Sequence, residues 1–179
     1  MIILGVDPGT LFTGYGIVSQ LKNKIARVTS GIIKLPAQKA LPGRLEIIYD
    51  ELDKVIKTYR PDEFSIETAF YGKNVQSAMK IGYARGVSIL TAVHNGLPVS
   101  EYSPREVKKS VVGTGAASKE QVGFMIKTLL ELKEDLKKFD ESDALAVALC
   151  HAFCLKTPAK KSKDWKSFIE AFPERIISQ

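Results

Sequence analysis

The chain has 179 residues, of which 45% are hydrophobic and 26% charged, and it carries a formal net charge of +6 with a pI near 9.2. That length suits one domain with a real core and is too short for two substantial ones. No apolar run reaches membrane-spanning length and no signal-peptide layout opens the chain, so a cytoplasmic protein with no membrane partner is expected, one whose surplus lysine favours polyanions.

The segment Met1 to Thr10 is an apolar run that ends abruptly in Asp7, a Pro-Gly turn and a hydroxyl. This places one acid at the end of a buried strand. An unpaired buried carboxylate is costly, so Asp7 must be paired, hydrogen-bonded or holding a metal; the plain alternative is an Asx-type turn before Pro8-Gly9. Thr13 to Gln20 and Ile25 to Leu35, separated by Lys22-Asn23-Lys24, complete an antiparallel three-stranded meander. Leu45, Ile48, Tyr49, Leu52, Val55, Ile56 and Tyr59 keep helical period between Pro42 and Pro61.

Phe64 to Glu67 is a short strand that sets a second acid before a loop. Asn74 to Asn95 follows as a long helix, with Gly82, Ala84, Gly86, Ser88 and Ala92 leaving one side small enough for close packing on the sheet or on another subunit. Leu97 to Tyr102 is a strand, and both Ser103-Pro104-Arg105-Glu106 and Ser118-Lys119-Glu120-Gln121 have the capping-box layout. A charged loop from Lys133 to Lys138 leads into Phe139-Asp140-Glu141-Ser142-Asp143 and an Ala-rich core helix. Strands first, then alternating helix and strand, argue an α/β fold with a mixed sheet covered by helices.

Cys150 and Cys154 read as small buried hydrophobes, and with His151 they lack a fourth ligand spaced for zinc. Lys156 to Lys163 holds four lysines and no apolar period, a basic linker before Trp165, Phe168, Ile169 and Phe172 at helical spacing. The expected organisation is a domain over 1–155 and a basic linker with a short amphipathic tail over 156–179.

Four acids deserve collecting: Asp7 and Glu67 at strand ends, Asp140 and Asp143 at a helix start. Each has a bland reading alone, the helical pair being also a favourable helix start. Together they match what hard divalent cations require. Carboxylate oxygens converge from rigid elements, and phosphodiester hydrolysis uses two ions about 3.5–4 Å apart. A basic protein with that cluster reads as a nuclease.

The phrases Leu4-Gly5-Val6-Asp7-Pro8-Gly9-Thr10 with Thr13-Gly14-Tyr15-Gly16, Ile66-Glu67 with Phe70 and Lys73-Asn74, Ala84-Arg85-Gly86-Val87, Val107-Lys108 with Val111-Val112-Gly113, and Asp140-x-x-Asp143-Ala144-Leu145-Ala146 resemble the RuvC Holliday junction resolvases up to about Leu155. The resemblance implies a ribonuclease H-like fold and a Mg²⁺-dependent homodimer, with two ions per subunit and Mn²⁺ able to substitute. It implies paired symmetric nicks across a four-way DNA junction, leaving 5′-phosphate and 3′-hydroxyl ends, in homologous recombination and repair. Branch-migration proteins are the implied partners. Asp7, Glu67, Asp140 and Asp143 take the positions of the family's metal-binding catalytic acids; some relatives have histidine where Asp140 stands.

Phe70 takes the place of the family's junction-wedging phenylalanine, beside Tyr71, Lys73 and Asn74. Lys108 and Lys119 match lysines near the scissile phosphate, Lys119 among the catalytic residues. Lys80, Arg85, Arg105 and Lys109 are weaker candidates for DNA backbone contacts, with a solvated surface charge as the plain alternative for any one of them. A dimer contact is expected along the long helix at Gly82 and Gly86. Two rivals stand beside this reading. One is an actin or sugar-kinase-like ATPase half-domain, since Asp7-x-Gly9-Thr10 also opens such phosphate loops. The other is a junction-binding module without catalysis.

Overall fold

The computed structural model describes residues 1–22, 24–68, 75–133 and 139–156. Phe70, Tyr71, Lys73, Asn74 and the amphipathic tail lie outside the described residues. The first three strands, β1 (Ile2–Asp7), β2 (Phe12–Leu21) and β3 (Lys24–Lys34), form the expected meander. Helix α1 (Leu41–Tyr59) leads to β4 (Glu63–Glu67), α2 (Val75–His94) to β5 (Val99–Tyr102), and then come α3 (Pro104–Val112), α4 (Lys119–Leu129) and α5 (Phe139–Lys156). The sheet order is β3-β2-β1-β4-β5, with β1, β4 and β5 parallel to one another and β2 antiparallel to both its neighbours. This is the ribonuclease H-like mixed sheet.

Both capping boxes form: Ser103 closes with Glu106 and Ser118 with Gln121. No helix among the described residues is long and apolar enough to cross a membrane. Cys150 is buried as expected, but Cys154 is exposed, because the last turn of α5 runs past the edge of the core. His94 meets the Tyr49 hydroxyl at 3.0 Å and His151 the Tyr102 hydroxyl at 2.8 Å, structural pairings remote in kind from a zinc site.

Strand alternation divides the core in two. Leu4, Val6, Phe64 and Ile66 face α1 and α2, where Ile48, Leu52, Ile56, Ala84 and Ala92 meet them. Ile3 belongs to the opposite core, built with α3, α4 and α5 from Val107, Val111, Val122, Ile126, Leu145 and Leu149. By the same period of two, Gly5 and Asp7 share the face of Ile3, and Ser65 and Glu67 share theirs with Glu63. That face is the one α5 covers.

Helix α5 lies unusually close to it. Gly5 pairs with Gly16, and Asp7 with Gly14, across β1 and β2. A Cβ on Gly5 would run into the Ala144 carbonyl, one on Gly14 into the Asp140 carbonyl, and one on Gly16 would come within 2.8 Å of the Leu145 side chain. Three glycines thus clear a track under the helix that carries Asp140 and Asp143. Gly5→Ala should lower stability in urea unfolding by about 1–3 kcal/mol, since backbone on both sides cannot yield as a side chain would. Gly123→Ala in α4, where a Cβ meets nothing within 4 Å, should instead raise stability by about 0.5–1 kcal/mol. Equal effects at the two sites would show that close approach is not what Gly5 provides.

Candidate functional site

Asp7 ends β1 and Glu67 ends β4, and because Val6 pairs with Ile66 in parallel register, the two acids project side by side from adjacent strand ends. The first turns of α5 bring Asp140 and Asp143 over them, set by the contact of Gly14 with the Asp140 backbone. The Ser142 hydroxyl donates to the Phe139 carbonyl at 2.7 Å and steadies that helix start. Lys119, the first residue of α4, donates to Asp143 Oδ2 at 2.9 Å. Its ammonium also lies 5.8 Å from the centre of the Phe139 ring.

The electrostatics are those of an under-neutralised cluster. Burial, and after it the charges of Asp143 and Asp140, push the Asp7 carboxyl up to about 7 against the relief of Lys119. Burial together with Asp7 and Asp143 pushes Glu67 up to about 8, offset partly by Lys119 and Lys108. The Lys119 ammonium is held above its ordinary value, chiefly by its hydrogen bond to Asp143. Carboxylates on two strands and one helix therefore act on one another, with lysine from α4 and α3 as countercharge. Among the described residues no three acid, histidine or cysteine side chains are drawn together into a ready-made metal cage. An all-oxygen set that is short of positive charge fits a hard divalent cation.

Other expected contacts are distributed around this centre. Lys108 is near enough to bias Glu67, whereas Arg105 and Lys109, exposed one turn apart on α3, line a cavity of about 590 Å³ with Ser103, Glu106, Gly113, Thr114 and Gly115. Lys80 is exposed on α2. Arg85 differs from expectation: its guanidinium is paired with Glu101 of β5, so it braces α2 against the edge strand. Gly82 and Gly86 are exposed, and a Cβ on either would meet nothing within 4 Å, while Ala84, Ser88 and Ala92 turn inward. What sequence reasoning missed is the glycine track of Gly5, Gly14 and Gly16 and the partnership of Phe139 with Lys119. Glycine recurring inside strands was the available signal for the first.

An acid whose folded value lies above its unfolded one favours the folded state while protonated. The benefit is complete below about pH 4 and is lost as the pH rises through the folded values. The metal-free protein should therefore lose thermal stability between about pH 5 and 8, and Mg²⁺ should restore it at pH 8 with little effect at pH 5. Asp7→Asn should flatten the profile and raise the metal-free melting temperature at pH 8. A wild-type melting temperature independent of pH over this range would refute the crowding of these acids.

A model of the family described as crossover junction endodeoxyribonuclease RuvC matches residues 3–151. The chain is 44% identical to a crossover junction endodeoxyribonuclease RuvC from Chloroherpeton thalassium, covering 99% of this chain and 100% of the relative. It is 52% identical to that of Citrifermentans bemidjiense, over 85% of this chain and 92% of the relative. Among solved structures, Thermus thermophilus RuvC in complex with Holliday junction substrate superimposes with a TM-score of 0.82 at 32% identity, over 87% of this chain and 95% of that one. The free Thermus thermophilus RuvC gives 0.79, over 87% and 96%. Fold and sequence agree, and the chain belongs to the RuvC family of crossover junction endodeoxyribonucleases.

Proposed function

We propose that this protein is a Holliday junction resolvase, a structure-selective endonuclease that cuts two opposed strands of a four-way DNA junction. The observation that carries the reading is the gathering of Asp7, Glu67, Asp140 and Asp143 beside Lys119 on one end of the sheet. Bare, that cluster repels a phosphodiester. A binding module without catalysis has no use for it, and an ATPase half-domain leaves three of the acids idle.

The four carboxylates would hold Mg²⁺, two ions per subunit, with Mn²⁺ able to substitute. Bound there, the metal supplies an acidified water and a countercharge for the departing 3′-oxygen. The chain's own residues do the rest. Asp7 and Glu67 project from strand ends and keep their spacing through the sheet register; Asp140 and Asp143 are carried in by α5. Lys119 and Lys108 bring fixed positive charge to the scissile phosphate, where charge builds in the transition state. Arg105 and Lys109 set a basic cavity on the Lys108 helix, a place for a backbone phosphate of a junction arm. Phe70, Tyr71, Lys73 and Asn74 follow β4 directly and are assigned to the junction bases and backbone on family resemblance.

One centre per chain cuts one strand, so paired cuts call for a twofold dimer. Helix α2 supports that reading. Val75, Met79, Tyr83, Leu90 and Val93 are exposed hydrophobic residues on it, and with Gly82 and Gly86 they fall on a single stripe about 100° wide. Such a stripe on a protein surface marks an interface, and the two glycines let a partner backbone approach. The nuclease unit spans 1–155, the tail from 156 is an appendage, and branch-migration proteins in the cytoplasm complete the assembly.

Asp7→Asn and Glu67→Gln should abolish nicking of a labelled junction in Mg²⁺ while leaving gel-shift affinity in place. Lys119→Ala should slow single-turnover cutting by a factor of about 10²–10³ and keep the metal requirement. Cleavage of a matched duplex as fast as the junction would leave a nuclease but remove the resolvase assignment. A mixed dimer with one Asp7→Asn subunit should nick one strand only, and Tyr83→Asp should convert the dimer to monomer in light scattering. A monomer that still makes paired nicks would end the dimer model.

A further inference from the structure

Lys119 has two partners of different kinds. Asp143 Oδ2 accepts a hydrogen bond from its ammonium at 2.9 Å, and the face of Phe139 lies 5.8 Å away. Phe139 is 53% exposed at the first position of α5, directly before Asp140, so burial of apolar surface does little to explain a phenylalanine there. The two partners respond in opposite ways once the carboxylates are engaged. The charge of Asp143 is then shared with the bound cation, and a divalent ion repels an ammonium nearby. An aromatic face keeps its attraction for an ammonium, because that attraction comes from the ring quadrupole and not from a titrating or metal-binding charge.

We propose that Phe139 is a positioning residue: its ring holds the Lys119 ammonium at the lip of the site when Asp143 turns to the metal, leaving the ammonium aimed at a non-bridging oxygen of the scissile phosphate. The proposal rests on the nuclease reading above but fails separately from it. In the free protein the ion pair and the ring share Lys119. In the loaded site the ring alone keeps a flexible four-carbon chain from swinging into solvent, and DNA covering the site strengthens the contact by removing water. The side chain of Lys119 is 59% exposed, so without such a hold its ammonium has ample room to leave.

The test uses the full-length protein with ¹³C-labelled lysine, and Lys119→Arg assigns the Lys119 signals. Its ε-protons should show an upfield ring-current shift that persists as Mg²⁺ is added and vanishes in Phe139→Leu. In parallel, single-turnover cleavage at saturating junction should slow by a factor of about 3–30 in Phe139→Leu and recover in Phe139→Tyr, with junction affinity unchanged within about twofold. Loss of the ring-current shift from wild type on adding Mg²⁺ would overturn the proposal. So would an unchanged rate constant in Phe139→Leu, or a defect confined to affinity, which would make Phe139 a DNA contact. If Asp7→Asn still cuts, the metal-site reading falls, whatever Phe139 does.

Discussion

Everything at this site depends on how near α5 can lie to β1 and β2. Four carboxylates on one sheet would need side chains to bend around the strands; instead two come from strand ends and two from a helix laid almost on the backbone. Gly5, Gly14 and Gly16 make the approach possible by presenting no Cβ to the helix, and Ala144 and Ala148 keep the facing side chains down to a single methyl. Glycine inside a strand costs conformational entropy and packs nothing itself. That cost is offset by the placement of Asp140 and Asp143, and the same close contact buries Leu145 and Leu149 completely.

The charge state follows from this geometry. Acids brought together with limited water raise one another's proton affinity, so Asp7 and Glu67 sit near neutrality's edge in the absence of a cation. A divalent ion held among these acids would relieve that repulsion, which would couple its affinity to the rigidity of the scaffold. Lys119 is the built-in partial remedy. It lies close enough to temper the repulsion, yet it is tethered on a separate helix whose capping box fixes where that helix begins.

Much of this was legible in the chain. The meander, the helix ends with their Ser103 and Ser118 caps, and the four acids all announce themselves through local chemistry: period, turn residues, and carboxylates where apolar runs stop. What was not legible depends on contacts between distant segments. Arg85 reads as a free cation, yet Glu101, sixteen residues later, takes it up because β5 lies under α2. Cys154 shares its apolar neighbourhood with Cys150 but falls beyond the core's edge. Nothing local to Phe139 indicates a lysine twenty residues upstream.

The sheet also separates two tasks that would interfere if they shared a face. The α5 side carries the four acids with Lys119 and Lys108, while the α2 side carries an exposed apolar stripe around Gly82 and Gly86. Apolar association beside four carboxylates would strip water from them and deepen their repulsion; carboxylates beside a dimer stripe would oppose its burial. The Arg85–Glu101 pair then has a clear physical place: it ties the stripe-bearing helix to β5, whose neighbour β4 ends in Glu67. The apolar stripe of α2 and the strand end that carries Glu67 are thereby linked through three adjacent elements, α2, β5 and β4.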